Sequence, residues 1–134
     1  MANWTADLEA TILSVVKSKT YSTLVAKYPN VKYTSEETTT GTTNFPCIYI
    51  HVISMSEEGQ DLVGETINAV LASVQVDVTA NTKKSDTKTV IYAIVDALKE
   101  LRFDITSLPL FTKEDDVHRA VVRARRVIGS GDTL

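Results

Sequence analysis

The 134-residue chain holds one cysteine, two histidines, one tryptophan and three prolines, and its apolar runs are all short. Each scarcity removes a class of function. A lone Cys47 forms no internal disulfide. With only His51 and His118 beside it, the sequence offers no Cys/His set at metal-binding spacing. Cys47 and His51, four residues apart on a strand, would stand about 13 Å from each other, too far for a nucleophile and its base. Two histidines and scattered serines make no Ser-His-Asp set. The carboxylates show no acid/base spacing, and Gly59, Gly64, Gly129 and Gly131 match no phosphate-cradling loop. No apolar stretch approaches membrane-spanning length, and the start lacks a charged-then-apolar secretion pattern. The expectation is a soluble protein of a reducing compartment, not an enzyme, with no cofactor and no metal.

What is present is an ordinary globular composition, 43% apolar and 23% charged. The length fits a single domain, 1–134. Net charge is −3, so general attraction to nucleic acid is not expected. Against that acidic background, four of the five arginines fall between positions 119 and 126.

Periodicity sets the order of elements. Trp4, Leu8, Ile12, Val15 and Val16 recur at helical spacing and predict a helix over 3–19. Asp7 and Glu9 fall near the positive end of its dipole. A shorter helical piece is expected over 21–28, ended by Pro29. A polar strand over 31–38 follows, then a threonine-rich turn, then an apolar strand over 47–53. Residues 54–68 read as a long loop. A half-buried strand is expected over 72–79, with Val74, Val76 and Val78 inward. The second main helix runs to about Leu101 from an N-cap at Ser85 or Asp86, with Val90, Ile91, Ile94, Val95, Leu98 and Leu101 as its buried stripe. Phe103 and Ile105 open a further strand, 109–116 reads as a turn, and 117–128 is the closing strand. A short tail, 129–134, either frays or reaches a neighbouring copy. The fold class is α+β: a mostly antiparallel sheet of four to five strands, with two main helices packed on one face.

On the closing strand, period two puts Arg119, Arg123 and Arg125 on one face with Val117, Val121 and Val127. Arg126 points the other way, beside His118, Ala120, Val122, Ala124 and Ile128. The bland reading pairs these arginines with Asp77, Glu36 or Glu37 on a solvated face, at roughly 0.2–1 kcal/mol per pair. The functional reading docks them against acidic protein surface. The chain supplies such surface itself, in Glu57, Glu58, Asp61 and Glu65 and in Glu114, Asp115 and Asp116. Complementary patches in different elements favour head-to-tail contacts between copies, which make rings when the rotation closes.

The blocks KYPNVKYT, NFPCIYIHVI, GETINAVLASVQVDVTAN, ALKELRFDITSLPLF and HRAVVRARRVIGSGDTL resemble, in order and spacing, the tail terminator (tail completion) proteins of long-tailed bacteriophages and phage tail-like particles. The resemblance spans nearly the whole chain after the first helix. It rests on the combination of blocks, because none is a chemical motif. It implies a virion structural subunit that assembles as a ring, usually a hexamer. Such a ring caps the polymerised tail-tube protein, ends elongation and offers a joining surface to the head connector or neck protein. The implied location is the head–tail junction of the virion, after assembly in the host cytoplasm. DNA would pass through the hole without specific binding. Alternatives are another neck component, such as a head-closure or adaptor protein, and a small binding domain that uses the basic strand.

Overall fold

A computed structural model of the chain describes residues 4–29, 31–35, 46–60, 67–81, 83–114, 117–129 and 134. Five strands form one sheet in the order β1-β2-β3-β5-β4. They are β1 (Lys32–Thr34), β2 (Cys47–Gln60), β3 (Ile67–Ala80), β4 (Asp104–Glu114) and β5 (Val117–Gly129). Two helices, α1 (Leu8–Lys27) and α2 (Lys84–Glu100), complete the α+β architecture. Every strand pair is antiparallel except β1–β2, where Tyr33 lies opposite Ile48 in a parallel register.

The core lies between the helices and one face of the sheet. Even-numbered residues of β3 and β5, from Val70 to Ala80 and from Ala120 to Ala124 with Ile128, are buried against Ile12, Val16, Ile91, Ile94 and Leu98. That arrangement follows from period two on the strands meeting helical spacing on α1 and α2.

The first helix is longer than its sequence pattern predicts. A 3-10 turn over Trp4–Asp7 leads into one continuous helix, not a helix to 19 and a second piece. Leu8, Ile12, Val16, Thr20 and Leu24 form a single buried row at intervals of four. Thr20 looks like an interruption because it is polar and β-branched. Its hydroxyl donates to the Val16 carbonyl at 2.9 Å and also meets the Tyr33 hydroxyl, so it is buried without an unsatisfied group. Burial pushes the Tyr33 phenol above its ordinary pKa, against the opposing bond from Thr20. The helix ends at Tyr28, whose backbone is drawn out of the helical region before Pro29.

The strands are longer too. Most of the expected 54–68 loop is ladder: β2 runs to Gln60 and β3 begins at Ile67, with Gln60 opposite Ile67. Ser54, Ser56, Glu57 and Gly59 have little strand preference, and register shifts at Val52/Ser54, Glu57/Gly59 and Gly59/Gln60 break the alternation. Pairing with the apolar β3 overrides both. Likewise, most of the expected 109–116 turn belongs to β4, which tolerates Pro109 because it is the outer strand of the sheet. The expected strand over 31–38 is described as β1, Lys32–Thr34, and its remainder from 36 lies outside the described residues. Of the 129–134 tail, Gly129 closes β5 and Leu134 packs against the chain's own core, while 130–133 lie outside the described residues.

The second helix starts at Lys84 with Lys83 at the N-cap and no side-chain cap, so neither Ser85 nor Asp86 plays that part. Asp86 instead accepts from the Tyr28 hydroxyl at 3.1 Å, tying the two helices together. At the other end, Phe103 N–H donates to Leu98 O and Arg102 N–H to Lys99 O, with Arg102 at φ 67°. This is a Schellman stop, sealed by the buried pair Leu98 and Phe103. A left-handed arginine costs about 1 kcal/mol relative to glycine, offset in part by the extra freedom glycine gains when unfolded. Arg102→Gly is therefore expected to raise stability by about 0.5 kcal/mol in urea titration. A loss of stability would mean the Arg102 side chain contributes more than its backbone costs.

Candidate interaction surface

Because both helices cover one face of the sheet, the odd-numbered residues of β3 and β5 form the opposite face, where the arginines lie. Among the described residues, nothing covers it. Arg119, Arg123, Arg125 and Val127 are exposed there, and Val121 is half-buried.

The arginines do not form one patch. Arg126 points to the helical side and its Nη1 donates to the Leu101 carbonyl at 3.0 Å, where α2 ends. There it satisfies a helix-end acceptor and its charge meets the negative end of the dipole. On the open face Arg119 Nη2 donates to Asp77 Oδ2 at 2.6 Å. Asp77 is nearly buried, and its Oδ1 also accepts from Gln75 Nε2 at 3.0 Å. Gln75 Oε1 in turn accepts from Arg123 Nε at 2.9 Å. Arg123 thus leans on a neutral amide rather than a carboxylate. Arg125 makes no hydrogen bond or ion pair with a described residue, although exposed Asp104 lies opposite it in the ladder. Counter-charge falls away along the strand from Arg119 to Arg125.

Glu57 and Glu58 lie on β2 and Glu114 ends β4, but their side chains, with Asp61, Glu65, Asp115 and Asp116, lie outside the described residues. The bland pairing expected of Asp77 is present, for Arg119 alone.

Two further features escaped the sequence reading. Leu108 and Leu110 are the most exposed large apolar residues described, at 71% and 65%, and Leu110 lies opposite Val121 on the open face. Their spacing of two around Pro109 was the available signal, masked by reading the stretch as a turn. The second is the distribution of cations. The exposed cations of α1 and α2 are all lysine, whereas β5 carries arginine and no lysine, and β3 has neither. Arginine with exposed aliphatic side chains is the composition of a protein contact surface, from which lysine is depleted.

Across β2, Tyr49 and His51 stack at 4.2 Å on the same face, and His51 Nε2 is buried with no hydrogen-bond partner among the described residues. Cys47 is buried, and that burial pushes its thiol above the ordinary range despite the nearby Lys32. A raised thiol pKa is the opposite of what a nucleophile needs. Among the described residues no three His, Cys, Asp or Glu side chains gather as metal ligands, and no helix is long and apolar enough to cross a membrane. A small recess of about 190 Å³ lies beside the start of α2, between Lys84, Phe111, Lys113 and His118. No protein-family model matches the chain, and no curated protein does either.

Proposed function

We propose that this chain is a tail terminator: a virion structural subunit that assembles as a ring, a hexamer by its resemblance, and caps the tail tube. The ring would end tube elongation and present the surface that joins the head connector or neck protein, at the head–tail junction. One observation carries the reading beyond the resemblance of the sequence blocks. The sheet has a face that no described residue covers, and its arginines, leucines and valines suit contact with protein. A two-layer domain that leaves such a face open is suited to burying it in an assembly. The acidic balance of the chain, with a net charge of −3, favours protein over DNA as the partner, which is compatible with DNA passing without specific binding.

The test is to add the protein to its tail-tube protein during polymerisation and image the products in negative stain. The expected result is shorter tubes of narrow length distribution, each with an added ring at one end. Unchanged tube lengths overturn the terminator reading. Rings that bind the head connector but leave the tube alone would instead favour a head-closure or adaptor protein.

A further inference from the structure

We infer that the open sheet face is the docking site for a second copy of this chain, which lays the outer side of its α2 there, Asp96 against Arg125 and Tyr92 against Arg123. This rests on the reading of the chain as an assembling subunit, and it names the contact.

The face presents a defined pattern of charge. Arg119 is neutralised by Asp77 at 2.6 Å, and Arg126 is engaged at the end of α2. Arg123 is held only by the amide oxygen of Gln75, and Arg125 forms no ion pair with a described residue. These two stand two residues apart on one strand, about 7 Å. Beside Arg125 in the ladder is Asp104, also exposed, so an acid and a base point outward side by side. Val121, Val127 and Leu110 supply apolar area around them.

The outer side of α2 carries the counterpart. Tyr92 is 43% exposed there, and Asp96 and Lys99 are exposed and form no ion pair with a described residue. Tyr92 and Asp96 are one turn apart, ~6 Å along the axis, which matches the step from Arg123 to Arg125. Asp96 and Lys99 are surface neighbours at i, i+3, as Arg125 and Asp104 are across the ladder. One acid–base pair therefore meets the other crosswise, Asp96 on Arg125 and Lys99 on Asp104. Tyr92 then lies over the Arg123 guanidinium, a favourable arginine–aromatic contact. In the same register Lys88, one turn earlier, falls over Val121, whose ladder neighbour is Asp77.

Within one chain these surfaces do not meet, because α2 packs on the opposite face of the sheet. The complementarity is therefore met between copies. The open face runs the twelve pairs of the β3–β5 ladder, ~40 Å, across five strands, ~20 Å. That is roughly 800 Å², the area each partner gives to a standard specific interface. Helices of the second copy would complete a helix–sheet–helix sandwich, the usual way in which a sheet buries both faces. The contact is heterologous, helix on one side and sheet on the other, so it propagates from copy to copy and forms a ring when the rotation closes.

Charge reversal tests the contact by sedimentation velocity, with circular dichroism and Tm as controls for folding. The wild-type chain is expected to assemble, and to dissociate as salt is raised. Asp96→Arg and Arg125→Glu are each expected to stay folded and weaken assembly about 30-fold or more. Arg125→Ala replaces Arg125→Glu if the new carboxylate beside Asp104 unfolds the chain. Tyr92→Ala is expected to weaken assembly about 10-fold. An equimolar mixture of the Asp96→Arg and Arg125→Glu chains is expected to assemble again, because each helix then meets a face of opposite sign. Three results overturn the inference: a wild-type chain that stays monomeric at every salt and concentration, an Asp96→Arg chain that assembles normally, or a mixture that stays apart. Loss of binding to tube protein or duplex DNA in Arg125→Glu, with assembly intact in Asp96→Arg, assigns the face to that other partner and overturns it too. Rescue in the mixture with no effect on tube length would leave this contact standing and remove the terminator function.

Discussion

Ile94→Ala is expected to lower the stability of the fold by about 2–5 kcal/mol, read as a fall in urea midpoint at unchanged slope. Ile94 is fully buried on the inner face of α2, in the cluster that holds Ile91, Leu98, Val76 and Val122. Removing its outer carbons costs their transfer out of water and leaves a cavity that the surrounding strands fill only in part. Domains of this size are stable by about 5–15 kcal/mol, so the loss is a large share of the total. The sheet cannot collapse inward easily, because β3 is held by ladders on both sides. Tyr92→Ala, two residues away on the exposed side of the same helix, serves as the contrast and is expected to change stability by about 0.5 kcal/mol or less. Equal effects from the two would mean that the helix does not pack as described.

Glu9→Ala is expected to cost about 1.5–3 kcal/mol, and Glu9→Gln to recover most of that. Glu9 Oε2 accepts from the Val52 backbone N–H at 2.8 Å. Val52 stands at the first register shift of β2, beyond Thr34–Tyr49, the last pair that β1 makes with β2. Without Glu9 that N–H would lose its partner at a partly buried site. The carboxylate also occupies the strand edge, a position where an exposed N–H invites pairing with a foreign strand. Glu9→Gln keeps an acceptor of the same shape without the charge, so it separates hydrogen bonding from the helix dipole. If both variants are as stable as wild type, water replaces the carboxylate at no cost. Along the sequence Glu9 shows only its place near the helix dipole, because a contact forty-three residues away leaves no local pattern.

Legibility followed the range of the interaction. The faces of β5 were readable because alternation at period two is a local property, and Arg119, Arg123 and Arg125 do share the face opposite Ala120, Val122 and Ala124. The stripe of α2 was readable for the same reason, and Val90, Ile91, Ile94 and Leu98 are all fully buried. The ends of elements were not. Residues 54–60 have weak strand preference and become strand because β3 offers a ladder to them. Thr20 joins the helix because Val16 and Tyr33 satisfy its hydroxyl.

The sequence by itself determined the class of fold, the inner and outer residues of β3 and β5, the buried stripe of α2, and the concentration of arginine on one strand. These depend on spacing and composition, which the chain carries regardless of how it folds. Only the tertiary structure decided which arginine has a partner. Asp77 and Arg119 are forty-two residues apart, Arg126 and Leu101 twenty-five, and the sheet order that places β5 between β3 and β4 is what joins or separates them. A side chain's charge is written in the sequence, but its counter-charge is set by the neighbour that the fold supplies. That is why four arginines that look alike along the chain divide into one neutralised by a carboxylate, one closing a helix, and two facing outward.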